Sequence, residues 1–415
     1  MKILVLGGGI VGVTTAYYLA KAGEDVTVVD RQAGVGLETS FANAGLVSPG
    51  HSYTWAAPGA PAILLKSLVS EGQALRLRLN ADWRMYAWGL RFLRNCTAAR
   101  ARHNTSIKVR LSRYSQEQLN LLTSEESLRY EQTNRGLLYL YRDSESLQRG
   151  IASSTILSEN GLLIEPLDWS ATVAKEPALA RSGSSLAGSI YCPSDGTGDA
   201  HLFTKAVYQC CMRLGVKFEF NRTVQKLCGS ADRVGYIETS RGPMTADCYV
   251  LALGSYSPLV ARTLGYRLPV YPVKGYSITV PIREPGAAPT IGGVDEGNLI
   301  AWSRLGDRMR FTATAEFAGY HLQHQPRDFE PMLRAARGLF PDCADYSQPA
   351  YWAGLRPMTP EGTPILGKTR HLNLYLNTGH GHLGWTWSCG TARVLTDIIR
   401  ERVPGVDLTG LTLRH

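Results

Sequence analysis

No run of about 18 or more apolar residues occurs anywhere in the 415-residue chain, so no membrane-crossing helix is expected. There is no C-x-x-C pair either. The eight cysteines are scattered, and Cys210 and Cys211 are adjacent in what reads as a helix. That spacing argues against a zinc or iron–sulfur site, so no metal is expected, and it suits a reducing compartment. Internal repeats and low-complexity tracts are missing, which excludes solenoids and long disordered segments. One stretch is nearly devoid of negative charge. Residues 74–113 carry ten Lys/Arg against a single acid, Asp82, a local surplus equal to the whole chain's net +9. Trp83, Tyr86, Trp88 and Phe92 lie in it at near-helical spacing. Runs of charge are commonly solvated faces, and a solvated helix with its aromatics in the core is the preferred reading. Contact with anionic lipid headgroups is the runner-up. No nucleic-acid motif accompanies the charge, so no such partner is expected.

What is present is informative from the first residues. A chain of this length buries a large core and usually splits into two lobes. Its 44% apolar and 19% charged composition is that of an ordinary globular protein. Ile3-Leu4-Val5-Leu6 is a short buried-strand run ending in Gly7-x-Gly9-x-x-Gly12. A helical stretch runs to Ala22, and a second strand, Val26 to Val29, closes on Asp30, eighteen residues past Gly12. Gly7 permits the tight turn, Gly9 lets backbone approach a pyrophosphate, and Gly12 lets helix pack on strand. Unpaired N–H groups at the helix start, from Ile10 and Val11, face the phosphates. Asp30 stands where a carboxylate takes ribose hydroxyls. Lys2, the apolar run and Ala20-Lys21-Ala22 also resemble a secretory signal, but three consecutive glycines break it and a strand follows directly. A chain kept on the cytoplasmic side is expected, with peripheral attachment to the inner membrane as the alternative.

Further along, residues 47 to about 195 read mostly as helices with scattered strands, among them Tyr114 to Leu122 and Gly136 to Tyr141. Ala200 to Leu214 reads as a helix, Val216 to Phe220 as a strand, Val224 to Ile237 as a hairpin, and Cys248 to Leu253 as a buried strand. Leu268 to Ile282 and Leu299 to Ala315 are strand-rich, with a turn at Gly306-Asp307. A second Gly-rich strand-to-helix junction, Gly379-His380-Gly381-His382-Leu383-Gly384, follows Leu374 to Asn377. One ligand touching both ends of the chain must be long, which favours permanently held FAD over a transient nicotinamide. The predicted fold is α/β with two lobes. A Rossmann-like FAD-binding domain (1–46, 196–266 and 361–415) is interleaved with an antiparallel-sheet substrate domain (47–195 and 267–360).

At this point whole runs of residues can be matched. The N-terminal unit, Thr39-Ser40-x-Ala42-Asn43-Ala44-Gly45-x-x-Ser48-Pro49-Gly50, Tyr271-Pro272-Val273-Lys274-Gly275-Tyr276-Ser277, Gly354-Leu355-Arg356-Pro357-Met358-Thr359-Pro360 and Asn377-Thr378-Gly379-His380-Gly381-x-x-Gly384-Trp385-Thr386 occur together. Nearly end to end, the chain resembles the D-amino acid oxidase and glycine oxidase family of FAD enzymes, in its bacterial D-amino acid dehydrogenase branch. The resemblance implies that Gly7, Gly9, Gly12 and Asp30 hold the ADP half of FAD, with Arg31 near the ribose. It places Ser40, Asn43, Ala44 and Gly45 along the pyrophosphate and flavin, Val224 at the adenine and Gly254 on the nucleotide. Gly381, Leu383, Gly384 and Thr386 are expected around the flavin ring. The carbonyl of His382 would accept from the substrate amine, and Arg356 would grip the substrate carboxylate. A guanidinium fork suits a planar carboxylate through two charge-assisted bonds. Packing is the preferred reading of the His380 and His382 rings, since neither has an acid placed in sequence to make it a recognisable base. Lys274 reads either as a solvated surface residue or as a neighbour of the flavin edge.

The departures are equally specific. Ile300-Ala301-Trp302-Ser303-Arg304 lacks a tyrosine expected of the oxidases, which favours a dehydrogenase. His51 and Ser52 stand where the branch leads one to expect Tyr-Ala, and Thr312-Ala313 replace a glycine pair. His51 and Tyr53 are therefore included among the candidate catalytic residues. The expected reaction is oxidative deamination of D-amino acids, with electrons passed to a quinone or another acceptor rather than mainly to oxygen. Alternatives are a glycine or sarcosine-type enzyme, oxidation of a cyclic D-imino acid such as a hydroxyproline, and a flavin-bearing relay subunit without its own substrate.

Overall fold

A computed structural model describes residues 1–69, 75–78, 82–183 and 185–413. Lys2–Leu6 lies at the centre of a six-stranded sheet in the order Ile365–Lys368, Leu374–Thr378, Cys248–Leu251, Lys2–Leu6, Asp25–Val29, Lys217–Glu219. All pairings are parallel except the first, where Ile365–Lys368 runs antiparallel to its neighbour. The central strand reads as a continuous apolar run because both its faces are covered. Ile3 and Val5 point into a core shared with helices Ile10–Lys21, Ala200–Arg213 and Gly384–Ile399. Leu4 and Leu6 point the other way, against the hairpin Val224–Gly229 and Val234–Thr239. Period-two alternation thus supplies two cores from one strand.

The second sheet runs Ala350–Met358, Tyr271–Pro281, Arg308–Phe317, Ile300–Leu305, Gly292–Asp295, Leu137–Tyr141, Gly188–Cys192, Glu165–Asp168. It is mainly antiparallel. The exceptions are the parallel meeting of Gly292–Asp295 with Leu137–Tyr141 and the short strand Leu75–Leu77, which pairs in parallel with the end of Arg308–Phe317. Helix Glu330–Leu339 covers one face around Trp302, Phe311 and Phe340.

Two expectations need correction. Tyr114 to Leu122 is no strand but part of one helix, Ala98–Glu125, capped at its start by the Thr97 side chain accepting from the Arg100 N–H. Lys108, Leu111, Ser112, Ser115, Leu119 and Leu122 are buried at spacings of three and four, the helical period. Short apolar runs do not separate strand from helix, and here length decides. The helix falls within the 47–195 segment yet packs against the first sheet's core. Leu119 and Leu122 belong to the core of the first sheet, and Ser115 meets Gly390 so closely that a Cβ there would lie 2.6 Å from it. In the basic stretch, part of which (74 and 79–81) lies outside the described residues, helix Trp83–Asn95 buries Trp88 and Phe92. Trp83 and Tyr86 instead stand 61% and 52% exposed. Half of the aromatic set faces outward, contrary to the preferred reading.

Candidate active site

A cavity of about 1350 Å³ lies where the two sheets meet, lined by residues from both ends of the chain. It exceeds the ~300–1,000 Å³ of an ordinary small-molecule pocket. Gly7 turns the chain at φ +116°, and a Cβ there would lie 2.5 Å from the Ala252 carbonyl oxygen. At Gly12 a Cβ would fall 1.9 Å from the Gly7 carbonyl oxygen, so only glycine lets the helix close on the turn. A Cβ on Gly9 would meet nothing nearer than the Ser40 hydroxyl at 3.6 Å. That glycine leaves open space facing the cavity, as a backbone approached by a phosphate requires. Ser40 accepts from the Ile10 N–H at 3.1 Å, while Ile10 and Val11 line the wall.

Asp30 sits at the end of its strand and lines the cavity, its carboxylate accepting from Gly8 N–H at 2.6 Å and Gln32 N–H at 2.7 Å. Burial raises its pKa, and the two amides pull against that. Arg31 lies 3.9 Å over the Tyr256 ring and its Nε donates to Glu38 at 2.5 Å. Val224 and Gly254 complete this end.

Toward the middle, Asn43, Ala44, Gly381, Leu383 and Gly384 line the wall. Gly381 adopts φ +58°, a left-handed turn that exposes backbone to the cavity. Gly12, Gly45 and Thr386 do not line it. Gly45, at φ +71°, packs where a Cβ would lie 2.6 Å from the Ser303 hydroxyl, and Thr386 accepts from the Ser48 N–H at 3.2 Å. These three hold the wall from behind. Sequence spacing alone does not separate a glycine that faces a ligand from one that shapes the turn beside it.

At the far end stands Arg356, on strand Ala350–Met358. Its guanidinium lies flat on Gly275 of the neighbouring strand, where a Cβ would come within 2.4 Å of Cζ. Nη1 donates to the Thr314 carbonyl at 2.9 Å. Burial lowers its pKa to about 10, so it stays a cation at neutral pH, and no charged neighbour contributes to the shift. Among the described residues no carboxylate pairs with it. A buried cation without an anion is costly unless a ligand supplies one.

Around it are the histidines. His382 stacks on Trp55 with ring centroids 5.1 Å apart and lies 6.4 Å from the His51 ring. Burial drives its pKa well below the ordinary value, with Lys108, His51 and Arg356 adding to the effect, so the ring is neutral. Its Nε2 is hidden and has no hydrogen-bond partner. His380 is buried, its pKa lowered to about 3 by burial, and bonds Thr391 at 3.1 Å, as packing requires. His51 contacts Glu296 at 3.0 Å and stacks on Tyr139, whose hydroxyl donates to the buried Asp195. Asp195 also takes the Gly50 N–H at 2.9 Å, fixing the turn that carries His51. Tyr53 lines the cavity beside His51. Both readings of Lys274 fail: it is buried, bonds the Gln323 carbonyl and faces Glu316 at 3.8 Å, away from the cavity.

Sequence reasoning missed Glu296, which sits in an ordinary-looking Asp-Glu-Gly-Asn turn, and Trp352, whose indole folds over Gly354. It also missed an apolar limb of the cavity formed by Ile63, Leu64, Leu65, Tyr86, Leu90 and Leu93. The outward aromatic of the basic helix was its one available signal.

The residues fit FAD: a glycine cradle with open space at Gly9, a ribose-height carboxylate, and a second glycine junction converging on the same cavity. Comparison with known proteins agrees. Residues 2–398 match the family described as FAD dependent oxidoreductase, DAO. The chain is 46% identical over 413 residues to D-amino acid dehydrogenase 2 of Mesorhizobium japonicum, covering 99% of both. It is 47% identical to D-amino acid dehydrogenase of Methylobacterium nodulans, covering 99% of this chain and 98% of that one. In fold it is similar to glycine oxidase from Geobacillus kaustophilus (TM-score 0.75, 22% identity, 100% and 98% covered). Iminodiacetate oxidase from Chelativorans is also similar (TM-score 0.72, 21% identity, 99% and 98% covered).

Proposed function

This chain belongs to the family of FAD-dependent oxidoreductases, and we propose that it oxidises free D-amino acids to imino acids, from which water releases a 2-oxo acid and ammonia. The observation that carries the reading is Arg356, a buried guanidinium with a carbonyl and no carboxylate for company. It binds the substrate carboxylate through two parallel charge-assisted bonds and so fixes where Cα sits. FAD, when bound, supplies the electron sink for the hydride leaving Cα. The protein's task is then positioning. Trp55 and the neutral ring of His382 form an apolar wall that keeps water from the reacting carbon. The His382 carbonyl is the acceptor proposed for the amine. Gly7, Gly9, Asp30, Ser40, Asn43, Ala44, Val224, Gly254, Gly381, Leu383 and Gly384 are the residues proposed to hold FAD. Mixing the holoenzyme anaerobically with D- and L-amino acids tests this. Bleaching of the flavin absorbance by D-substrates is expected, and its absence with every D-substrate overturns the reading. Rapid peroxide formation in air with glycine or sarcosine would decide for that alternative.

The apolar limb favours a lipophilic electron acceptor such as a quinone. Its outer rim includes Leu65 and Leu90, 68% and 53% exposed, with Arg91 and Arg94 exposed on the helix that carries Leu90. An apolar patch bordered by arginines suits an anionic bilayer surface. No helix among the described residues is long and apolar enough to cross a membrane, so such contact is peripheral. Sedimentation with vesicles containing phosphatidylglycerol, lost at high salt or on Leu65→Asp with Leu90→Asp, tests it. Equal recovery with purely zwitterionic vesicles would remove the electrostatic part.

A further inference from the structure

Three carboxylates line the cavity among the described residues. Asp30 and Glu38 are at the nucleotide end, engaged by backbone amides and by Arg31. The third, Glu296, is at the other end, and nothing so far gives it a function. One oxygen meets His51 Nε2 at 3.0 Å; among the described residues the second has no hydrogen-bond partner. Its side chain is 23% exposed, and the surface it shows belongs to the cavity. Arg356, His382, His51 and Glu296 all line this one cavity, with the His382 ring 6.4 Å from His51 and His51 Nε2 meeting Glu296. Tyr53 and Leu299 line the same wall, giving aliphatic and aromatic surface leading up to the carboxylate. His51 is itself clamped by stacking on Tyr139 at 5.3 Å, with Tyr139 tied to Asp195, so the carboxylate is presented by a rigid support. Thr312 and Ala313 line the same cavity.

We propose that Glu296, oriented by His51, recognises a positively charged side chain on the substrate, so that this enzyme prefers D-amino acids with a terminal ammonium or guanidinium. The inference rests on the D-amino acid reading above. An amino acid held at its carboxylate by Arg356 extends its side chain away from the guanidinium, and the cavity offers the opposite charge there. Apolar flanks match the methylene stem of such a side chain, and its cationic head takes the free oxygen. A carboxylate in this position disfavours acidic side chains by repulsion and leaves aliphatic ones without compensation for its desolvation.

The test compares D-lysine, D-norleucine and D-glutamate in anaerobic flavin reduction by the holoenzyme, with far-UV circular dichroism and flavin content confirming that each variant folds. Wild type is expected to favour D-lysine over D-norleucine at least tenfold in kcat/KM. Glu296→Gln should lower that ratio at least tenfold, and Glu296→Lys should turn the preference toward D-glutamate. A wild type that prefers D-norleucine overturns the proposal, as does a Glu296→Gln ratio equal to wild type. Equal losses for both substrates would also overturn it, assigning Glu296 to the amine or to the fold. If no D-substrate reduces the flavin in any form, the reading on which this rests has failed instead, a distinguishable result.

Discussion

The two ends of the cavity are built on opposite plans. At the nucleotide end the charges are already engaged before any ligand enters. Asp30 holds two backbone amides, Arg31 holds Glu38 and lies on Tyr256, and much of the surface is glycine backbone. At the amino-acid end Arg356 has a carbonyl and no acid, Glu296 has an unengaged oxygen, and the His382 ring has a nitrogen without a partner. A permanently held cofactor is served by a site that is stable by itself. A substrate that comes and goes is served by groups that remain under-satisfied until it binds, which turns desolvation already incurred in folding into affinity and orientation.

Breaking the amino-acid end should give the largest effect. Arg356→Ala removes a buried cation and two charge-assisted bonds of roughly 1.5–3 kcal/mol each, so kcat/KM should fall about 10²–10⁴-fold. Flavin content should be retained, as read by absorbance; unchanged kinetics would take Arg356 out of the site. Asp30→Ala does the reverse. Losing a charged acceptor should weaken FAD retention by roughly 10–100-fold on dilution while the KM of the reconstituted enzyme stays put. A changed KM with normal flavin binding would blur the contrast between the two ends.

A third test concerns Lys108, which is fully buried behind Tyr53 and bonds its carbonyl. Burial lowers its pKa from 10.5 to about 7. A depressed base contributes stability that is intact above its unfolded value and is lost as pH falls toward the folded one. Wild type should therefore lose stability between about pH 10.5 and 7 relative to Lys108→Met, by an amount on the order of a few kcal/mol. Parallel melting curves of the two proteins across that range would show the burial to be compensated. The smallest effect is expected of Thr386→Val. Loss of its bond to Ser48 should cost about 0.5–1.5 kcal/mol in a denaturant titration, with flavin spectrum and kinetics unchanged. A shifted flavin spectrum would return Thr386 to the cofactor's contacts.

The nucleotide end was legible because its chemistry is local. Turn, helix start and carboxylate fall within thirty residues, and each residue type has a conformational reason to be there. The strand Cys248–Leu251 and the glycine junction at 379–384 were legible for the same cause. The long helix Ala98–Glu125 was misread in part because a nine-residue window fits either period, and its attachment to the nucleotide core depends on a contact between Ser115 and Gly390. Glu296 and the apolar limb could not be found, since a turn acid and surface leucines look ordinary in sequence.

The sequence by itself determined the dinucleotide cradle and the presence of two sheets with different patterning, while Arg356 was marked out by the family resemblance. Glycine φ and strand alternation act over a few residues, which is why those features show locally. Only the tertiary structure decided that Arg356 has no acidic partner among the described residues, that Gly45 and Thr386 support the wall rather than form it, and that Glu296 faces the same space as Arg356. Those facts depend on which distant segments the packing brings together. Long-range contact is settled by the summed burial of whole layers, which no short stretch of chain records.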